Sequence, residues 1–254
     1  MNKFLVLLIC IGLTMACKPK QAETEQTNDT TTATTAQTEP AINQLTETEK
    51  SAGWKLLFDG QSLNGWKFFK DMPNDSWEVV DGTLHCKPFA DDKENNKRAD
   101  IMTVDQYENF ELAFGWKIGE QGNSGVMFRV IEQYDEPYLS GPEYQVMDMN
   151  APGDIKDVHK TGANYDMHAA VAAAPNPTGE WNESRLVVNG DHVEHWLNGV
   201  KVVEYELNSA DWKKRKEAGK WKDAAGYGAS KKGYIDFQDH KQEAWFRNIK
   251  IRTL

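Results

Sequence analysis

The sequence predicts an all-β fold, an antiparallel sandwich or jelly roll with few short helices. Three observations predict it. Apolar and polar residues alternate with a period of two in many short runs, glycine turns punctuate those runs, and helical signals are confined to two short stretches. Alternate side chains of a strand face opposite ways, so each run offers one dry face and one wet face.

The N-terminus stands apart from the fold. Residues 1–16 carry one early lysine, Lys3, then the apolar run FLVLLICIGL, then small residues before Cys17. That pattern is a signal peptide, too short to remain as a membrane span. Cys17 directly after Ala16 matches a bacterial lipoprotein cleavage site, with Thr14 where the pattern usually has leucine. Lipid on Cys17 would hold the protein in the bacterial cell envelope, periplasmic or surface-exposed, with no transmembrane helix. Residues 17–44 are dominated by Thr, Gln and Glu and are expected to be a disordered tether. Residues 45–254 are long enough to bury a full core as a single domain.

The chain holds 39 acidic and 29 basic residues, a net charge of −10. An acidic chain without a basic cluster argues against nucleic acid as a partner. The exception, KKRK at 213–216, reads as the solvated face of a short helix. If Cys17 is lipidated, Cys86 has no intramolecular partner, and no disulfide is expected.

Taken in order, Thr46 and Glu49 form a capping box and predict a short helix to Ala52. WEVVDGTLHC at 77–86 is a hairpin turning at Asp81-Gly82. FELAFGWKI at 110–118 puts Phe110, Leu112, Phe114, Trp116 and Ile118 on one face. SRLVVNGDHVEHWLNGVKVVEYE at 184–206 reads as three strands, and 245–252 as a terminal one. Ser209 can cap a second helix over about 209–218.

Period-two geometry sorts the polar residues. In 123–130, Ser124, Val126, Phe128 and Val130 oppose Asn123, Gly125, Met127 and Arg129. In 143–147, Tyr144 and Val146 oppose Glu143, Gln145 and Met147. In 234–240, Ile235 and Phe237 oppose Tyr234, Asp236, Gln238 and His240. If these polar faces line one concave sheet, Arg129, Glu143, Gln145, Gln238 and His240 converge; otherwise they form an ordinary solvated face.

GWKLLFDGQSLNGW, WEVVDGTL, YENFEL, NSGVMFR, PEYQVMD, TGANYD, EWNESRLVVNG, HWLNG and GYIDFQDH followed by WFRNI, in that order over roughly 53–253, resemble the 3-keto-disaccharide hydrolase family. The resemblance implies a concanavalin-like jelly-roll sandwich and cleavage of sugars whose 3-hydroxyl has been oxidised to a ketone. The chain departs from the family's pattern at Asp236-Phe237, where a small or apolar residue and leucine are more usual.

That chemistry suits the residue types. A ketone at carbon 3 acidifies the proton on carbon 2, and its removal allows the glycosidic oxygen to leave carbon 1. The route needs a base near carbon 2, a positive or hydrogen-bonding group at the ketone oxygen, and an acid for the leaving oxygen. Glu143 and His240 are the candidate base and acid, in either order, and Arg129 the candidate for the enolate oxygen. Asn123, Gln145 and Gln238 are candidates to bind hydroxyls. Asp148 and Asp239 are further substrate-binding candidates, with a turn cap and a loop anchor as their plainer roles. A divalent metal on His240, Asp148 or Glu143 is an alternative electrophile, although no ligand spacing identifies such a site.

His195 reads as a core or rim histidine, and Arg247 and Asn248 as residues of a sandwich corner. The long segment 149–180, with His159, Tyr165 and His168, reads as a lid or rim. Trp54, Trp66 and Trp77 read as core, Trp212 and Trp221 as sugar platforms. A carbohydrate-binding protein without catalysis is the competing class, because fold does not fix function. Several titratable groups converging in a pocket would favour the enzyme; a flat face with one exposed aromatic would favour the lectin.

Overall fold

A computed structural model of the chain describes residues 41–89, 97–172 and 174–254. The signal peptide, Cys17 and all but the last four residues of the expected tether lie outside the described residues. Among the described residues, no helix is long and apolar enough to cross a membrane.

The strands are β1 (Lys55–Leu56), β2 (Trp66–Phe68), β3 (Trp77–Val80), β4 (Thr83–Cys86), β5 (Ile101–Thr103), β6 (Phe110–Ile118) and β7 (Asn123–Val130). They continue with β8 (Glu143–Met147), β9 (Asn182–Asn189), β10 (His192–Leu197), β11 (Val200–Glu206), β12 (Tyr234–Phe237) and β13 (Ala244–Thr253). Two sheets form. An eight-stranded sheet runs β11-β10-β9-β6-β13-β4-β3, with β1 also on β13, and a five-stranded sheet runs β2-β5-β12-β7-β8. Every recorded pairing between these strands is antiparallel. The result is the jelly-roll sandwich that the alternation predicts.

The core is where the inner faces of the two sheets meet. Phe114 of β6 packs edge-on to Tyr144 of β8 at 5.6 Å and to Phe237 of β12 at 5.9 Å. Phe237 also meets Phe246 of β13 at 4.8 Å. Edge-to-face contacts of this kind add to the area burial that drives the two sheets together. Trp66 and Trp77 lie in this core, as their sequence context suggests.

Local signals hold well. The Thr46–Glu49 capping box is formed ahead of α1 (Glu47–Ser51), and Ser209 caps α2 (Ala210–Ala218) through the Trp212 amide. KKRK lies on α2, where Arg215 pairs with Asp211 one turn back. The β3–β4 hairpin turns at Asp81 and Gly82 with φ of 48° and 73°, the left-handed pair that a tight hairpin turn requires. Cys86 is buried and free.

Asn43, expected to lie in the tether, belongs to the fold. Asn43 is buried, accepts from the Asn248 amide at 2.8 Å, and donates its own amide to Asn248 Oδ1 at 2.7 Å. Its side-chain amide reaches Gly82 O at 2.7 Å. Asn248 has φ of 52° and sits where the β13–β6 register shifts, so Asn43 satisfies a bulge that the sheet itself leaves open. Asn43→Ala should therefore cost about 1–3 kcal/mol. In a domain of this size that lowers Tm by several degrees. Thermal unfolding of the purified protein checks it, and an unchanged Tm would remove Asn43 from the fold.

Candidate active site

The outer face of the five-stranded sheet carries the site. On β8, Tyr144 and Val146 enter the core while Glu143 and Gln145 face outward, as the alternation requires. The register places Asn123 opposite Met147, Gly125 opposite Gln145, and Met127 opposite Glu143. On the other side of β7, the Gln238 amide donates to Gly125 O at 2.9 Å, which brings the end of β12 alongside. A cavity of about 190 Å³ results, lined by Asn123, Tyr138, Glu143, Gln145, Tyr165, Lys220, Gln238 and His240. Five of the sequence candidates meet here: Glu143, His240, Asn123, Gln145 and Gln238.

Glu143 is the unusual member. It is 4 % exposed, and among the described residues its carboxylate makes no hydrogen bond. Burial pushes its carboxyl up to about 8; the charge of Lys220 opposes that rise and the charge of Asp100 adds to it. The side chain folds over Gly125, where a β-carbon would come within 2.7 Å of Glu143 Cδ. Gly125 is therefore glycine because the carboxylate occupies the space of its missing side chain. Around it, Gln145 donates to Asn123 Oδ1 at 2.7 Å, and the exposed His240 lies 2.9 Å from Gln242 through Nδ1.

Lys220 is the residue the sequence reading missed. Its amide donates to Asp166 Oδ2 at 2.9 Å, and Asp166 also engages His159 at 2.9 Å. Its ammonium sits 4.8 Å from the Tyr165 ring centre and 4.6 Å from that of Trp221. Trp221 is 2 % exposed and stacks on Tyr227 at 4.4 Å, while Trp212 stacks on the other side of that run at 5.4 Å from Tyr227. Trp212 and Trp221 are thus core, not sugar platforms; they bind the connection after α2 to the body and hold Lys220 over the cavity. The polar sequence around them hid this, since their partners come from distant segments. The reading of 149–180 as a rim holds for Tyr165, which lines the cavity, with His159 stacked on it at 4.5 Å.

Three candidates do not join the site. Arg129 has φ of 59°, and the β12–β7 register shifts between Tyr234 and Asp236, opposite this point. The bulge inverts the alternation, so Val130 joins Met127 in a small outer cluster with Phe69 and Met102. Arg129 turns away and donates to Gly190 O at 2.5 Å, with Asp191 at 3.6 Å. Asp148 caps a turn: it accepts from the Gln121 amide at 2.8 Å, the Asn150 amide at 2.9 Å and the Thr178 hydroxyl, and it lines a different hollow. Asp239 accepts from Arg98 at 2.6 Å and Ser76 at 2.6 Å and so anchors neighbouring loops. Of the three metal-ligand candidates, Glu143 and His240 line this cavity and Asp148 lines another. Among the described residues the one cluster with ligand spacing is His192, Glu194 and Glu204, outside this cavity, with Lys201 already on both glutamates. His195 is fully buried, its Nδ1 2.9 Å from Gly162 O, in agreement with a core role.

A jelly-roll sandwich with a pocket of acid, base and amide groups on its outer face is the class of fold and site seen in carbohydrate-active enzymes. The model of the 3-keto-alpha-glucoside-1,2-lyase-like domain matches residues 53–252, and the chain belongs to that family. It is 32 % identical over 228 residues to a 3-keto-disaccharide hydrolase of Bacteroides thetaiotaomicron, covering 80 % of this chain and 79 % of that protein. Two crystal structures from Parabacteroides distasonis, both described provisionally as glycosyl hydrolases, are also similar. One is 39 % identical with a TM-score of 0.76, covering 84 % of this chain and 100 % of the other. The second is 29 % identical with a TM-score of 0.62, covering 79 % and 99 %.

Two expectations follow from the geometry. Gly125→Ala should displace the Glu143 carboxylate and cut turnover at least about tenfold, because misplacing a reacting group by an ångström is costly. Kinetics with a crystal structure of the variant checks it; an unmoved Glu143 would refute the contact. The second concerns stability. The folded state holds the Glu143 proton up to about 8, against an ordinary value of 4.5, so between those limits folding binds protons and stability falls as pH rises. Glu143→Gln removes that loss. Its stability advantage should be absent near pH 4.5 and grow toward pH 8, by at most about 1.4 kcal/mol per pH unit. Thermal melts of both proteins across this range measure it.

Proposed function

We propose that the cavity cleaves 3-keto-glycosides by removing the proton on carbon 2. The observation that carries this reading is a buried, unbonded carboxylate and an ammonium in one cavity: Glu143 and Lys220 both line it, and the charge of Lys220 favours the ionised carboxylate. Carbons 2 and 3 are neighbours in the sugar, so a base for one and a positive group for the ketone oxygen of the other must also be neighbours. Lys220 takes the role that the sequence assigned to Arg129. The relative from B. thetaiotaomicron supports the substrate class by its name.

In this reading Glu143 takes the proton from carbon 2, and the electron pair moves toward the ketone to give an enolate that Lys220 stabilises. The enolate reforms the carbonyl, a double bond forms between carbons 1 and 2, and the bond from carbon 1 to the glycosidic oxygen breaks. His240, at the rim, gives that oxygen a proton. Water adds to carbon 1 and a proton returns to carbon 2, so the net result is hydrolysis. Asn123, Gln145 and Gln238 offer amides to the ring hydroxyls. A cavity of about 190 Å³ suits one sugar ring, with the leaving group outside it. A carboxyl near 8 is well matched to a weakly acidic carbon proton, since base strength rises with its pKa. Lipid on Cys17 is proposed to hold the enzyme in the envelope; a Cys17→Ala variant released from membranes would support that.

The test incubates the protein with a 3-keto-glycoside and with its unoxidised parent, with and without chelator. Only the keto substrate should turn over, carbon-2 deuterium should wash into solvent, and Glu143→Gln should lose about a hundredfold or more in kcat. Lys220→Met should lose about 10–1000-fold, largely in kcat. Robust cleavage of the parent sugar would return the site to conventional glycosidase chemistry. Tight sugar binding with no turnover of either would favour a lectin.

A further inference from the structure

The face that bears the cavity carries two more carboxylates that the proposed reaction does not use. Asp236 of β12 lies in register with Met102 of β5 on one side and Met127 of β7 on the other, and Met127 faces Glu143. Met102, Asp236, Met127 and Glu143 thus form one row across four strands, on one face. One step further along the β5–β12 register, Asp100 comes beside Gln238. Asp100 accepts the Asp239 amide at 2.8 Å and borders a second hollow with Arg98, Glu136 and Lys241.

Asp236 is fully buried, and neither of its oxygens has an N–H or hydroxyl donor among the described residues. Its surroundings are apolar: Met102 and Met127 are themselves fully buried in the cluster with Phe69 and Val130. The polar group it meets is the carboxyl of Asp100. Two carboxyl groups in contact are both acceptors unless a proton lies between them, and two negative charges cannot persist side by side in such a site. Burial first, then Asp100, drives Asp236 far toward its neutral form. Burial raises the Asp100 carboxyl too, to about 7, but the accepted Asp239 amide opposes that rise, so Asp100 is the member that ionises first and Asp236, with no donor, the one that carries the proton.

We propose that Asp100 and Asp236 share one proton, and that the pair stands behind Glu143 on the same face as a buried, singly charged neighbour. The pair is a positioning device for charge and touches no substrate. Other charged or titratable groups near Glu143 are Lys220 after α2, Tyr138 and Tyr165 in the cavity wall, the buried Tyr227 stacked on Trp221, and His240 at the rim. Asp100 faces Glu136, Asp239 and the cations of the second hollow. Lys220 draws Glu143 toward its charged form and Asp100 pushes it toward its neutral form. Burial is the largest cause of the raised Glu143 carboxyl, and the charge of Asp100 adds a smaller push in the same direction. A cation between the two carboxylates is the other way to compensate them, but the apolar surroundings and the lack of a third ligand favour the proton.

The inference rests on the proposed role of Glu143 but is tested without activity. Infrared difference spectra of wild type and Asp236→Asn should show the carbonyl stretch of a protonated, dry carboxyl that the variant lacks. The titration of the Glu143 carbonyl, read as wild type minus Glu143→Gln, should have the same midpoint within about 0.3 units in Asp236→Asn, where the amide mimics the neutral acid and Asp100 stays charged. It should fall, by more than that margin, in the Asp100→Asn/Asp236→Asn double variant, where no charge remains. If the double variant does not fold, Asp100→Asn alone should show the same fall. The kcat/KM profile on a 3-keto-glycoside should shift in parallel, with kcat reduced severalfold and KM within about twofold. No band lost in Asp236→Asn overturns the shared proton. A midpoint unmoved in the double variant, with only lower Tm and rate, leaves the pair a merely structural role. A rise in Tm with calcium or manganese in wild type but not in Asp236→Asn replaces the proton with a cation. A wild type inert toward 3-keto-glycosides defeats the proposed reaction, while the infrared arms still decide the pair.

Discussion

Glu143 lies against the bare backbone of Gly125, and the site depends on that approach. The pairing of β7 with β8 sets Gly125 beside Gln145, two residues along from the Met127–Glu143 pair and on the same face. The pairing of β7 with β12 sets Gln238 on the other side. A side chain at position 125 would fill the space in which the carboxylate, two amides and the edge of the substrate have to meet. With none there, the carboxylate bends over the sheet and is buried without a hydrogen bond, and desolvation makes it a far stronger base than a surface glutamate.

The walls of the cavity come from the connections. Lys220, Tyr138 and Tyr165 arrive from three separate loops, and their placement depends on an aromatic column. His168, Tyr205, Trp212, Tyr227 and Trp221 stack in turn, at 4.6, 5.5, 5.4 and 4.4 Å. The column joins β11 through α2 to the segment that carries Lys220. Asp166 closes the bracket by accepting from the Lys220 amide while holding His159 against Tyr165. A lysine on so long a stem keeps its ammonium in one place only if its backbone and its stem are both held, and here Asp166 holds the one and the Tyr165 and Trp221 rings the other.

The same face stores instability. Among the described residues the Glu143 carboxylate makes no hydrogen bond, and neither oxygen of Asp236 has an N–H or hydroxyl donor. Buried, under-compensated carboxylates oppose folding at neutral pH and are tolerated where the surrounding sandwich exceeds the cost. The aromatic contacts between the sheets supply that excess: Phe114, Phe237 and Phe246 lock β6, β12 and β13 together directly beneath the site. The supporting face is therefore dry and rigid where the outer face is charged and strained.

The fold was legible in the sequence because its signals are local. Alternation in 110–118, the Asp81-Gly82 turn, the Thr46–Glu49 box and the Ser209 cap each follow from a few adjacent residues, and each is realised. The same parity placed Glu143, Gln145, Gln238 and Asn123 on one face, and the two strand pairings carried them together. Parity failed at Arg129, because one left-handed residue with no glycine to announce it inverted the alternation that follows. Parity put Asp239 on the apolar side of its strand and lapsed at Asp148, but it could not name their donors, which lie up to 163 residues away in Ser76 and in the Arg98 and Thr178 segments. Nor could it show that Trp212 and Trp221 are buried, or that Lys220, one lysine among many in a polar stretch, stands beside Glu143. The sequence by itself determined which strands exist and which way their side chains face. Only the tertiary structure decided which charges meet, because that depends on register, one bulge and long-range stacking that no local window contains.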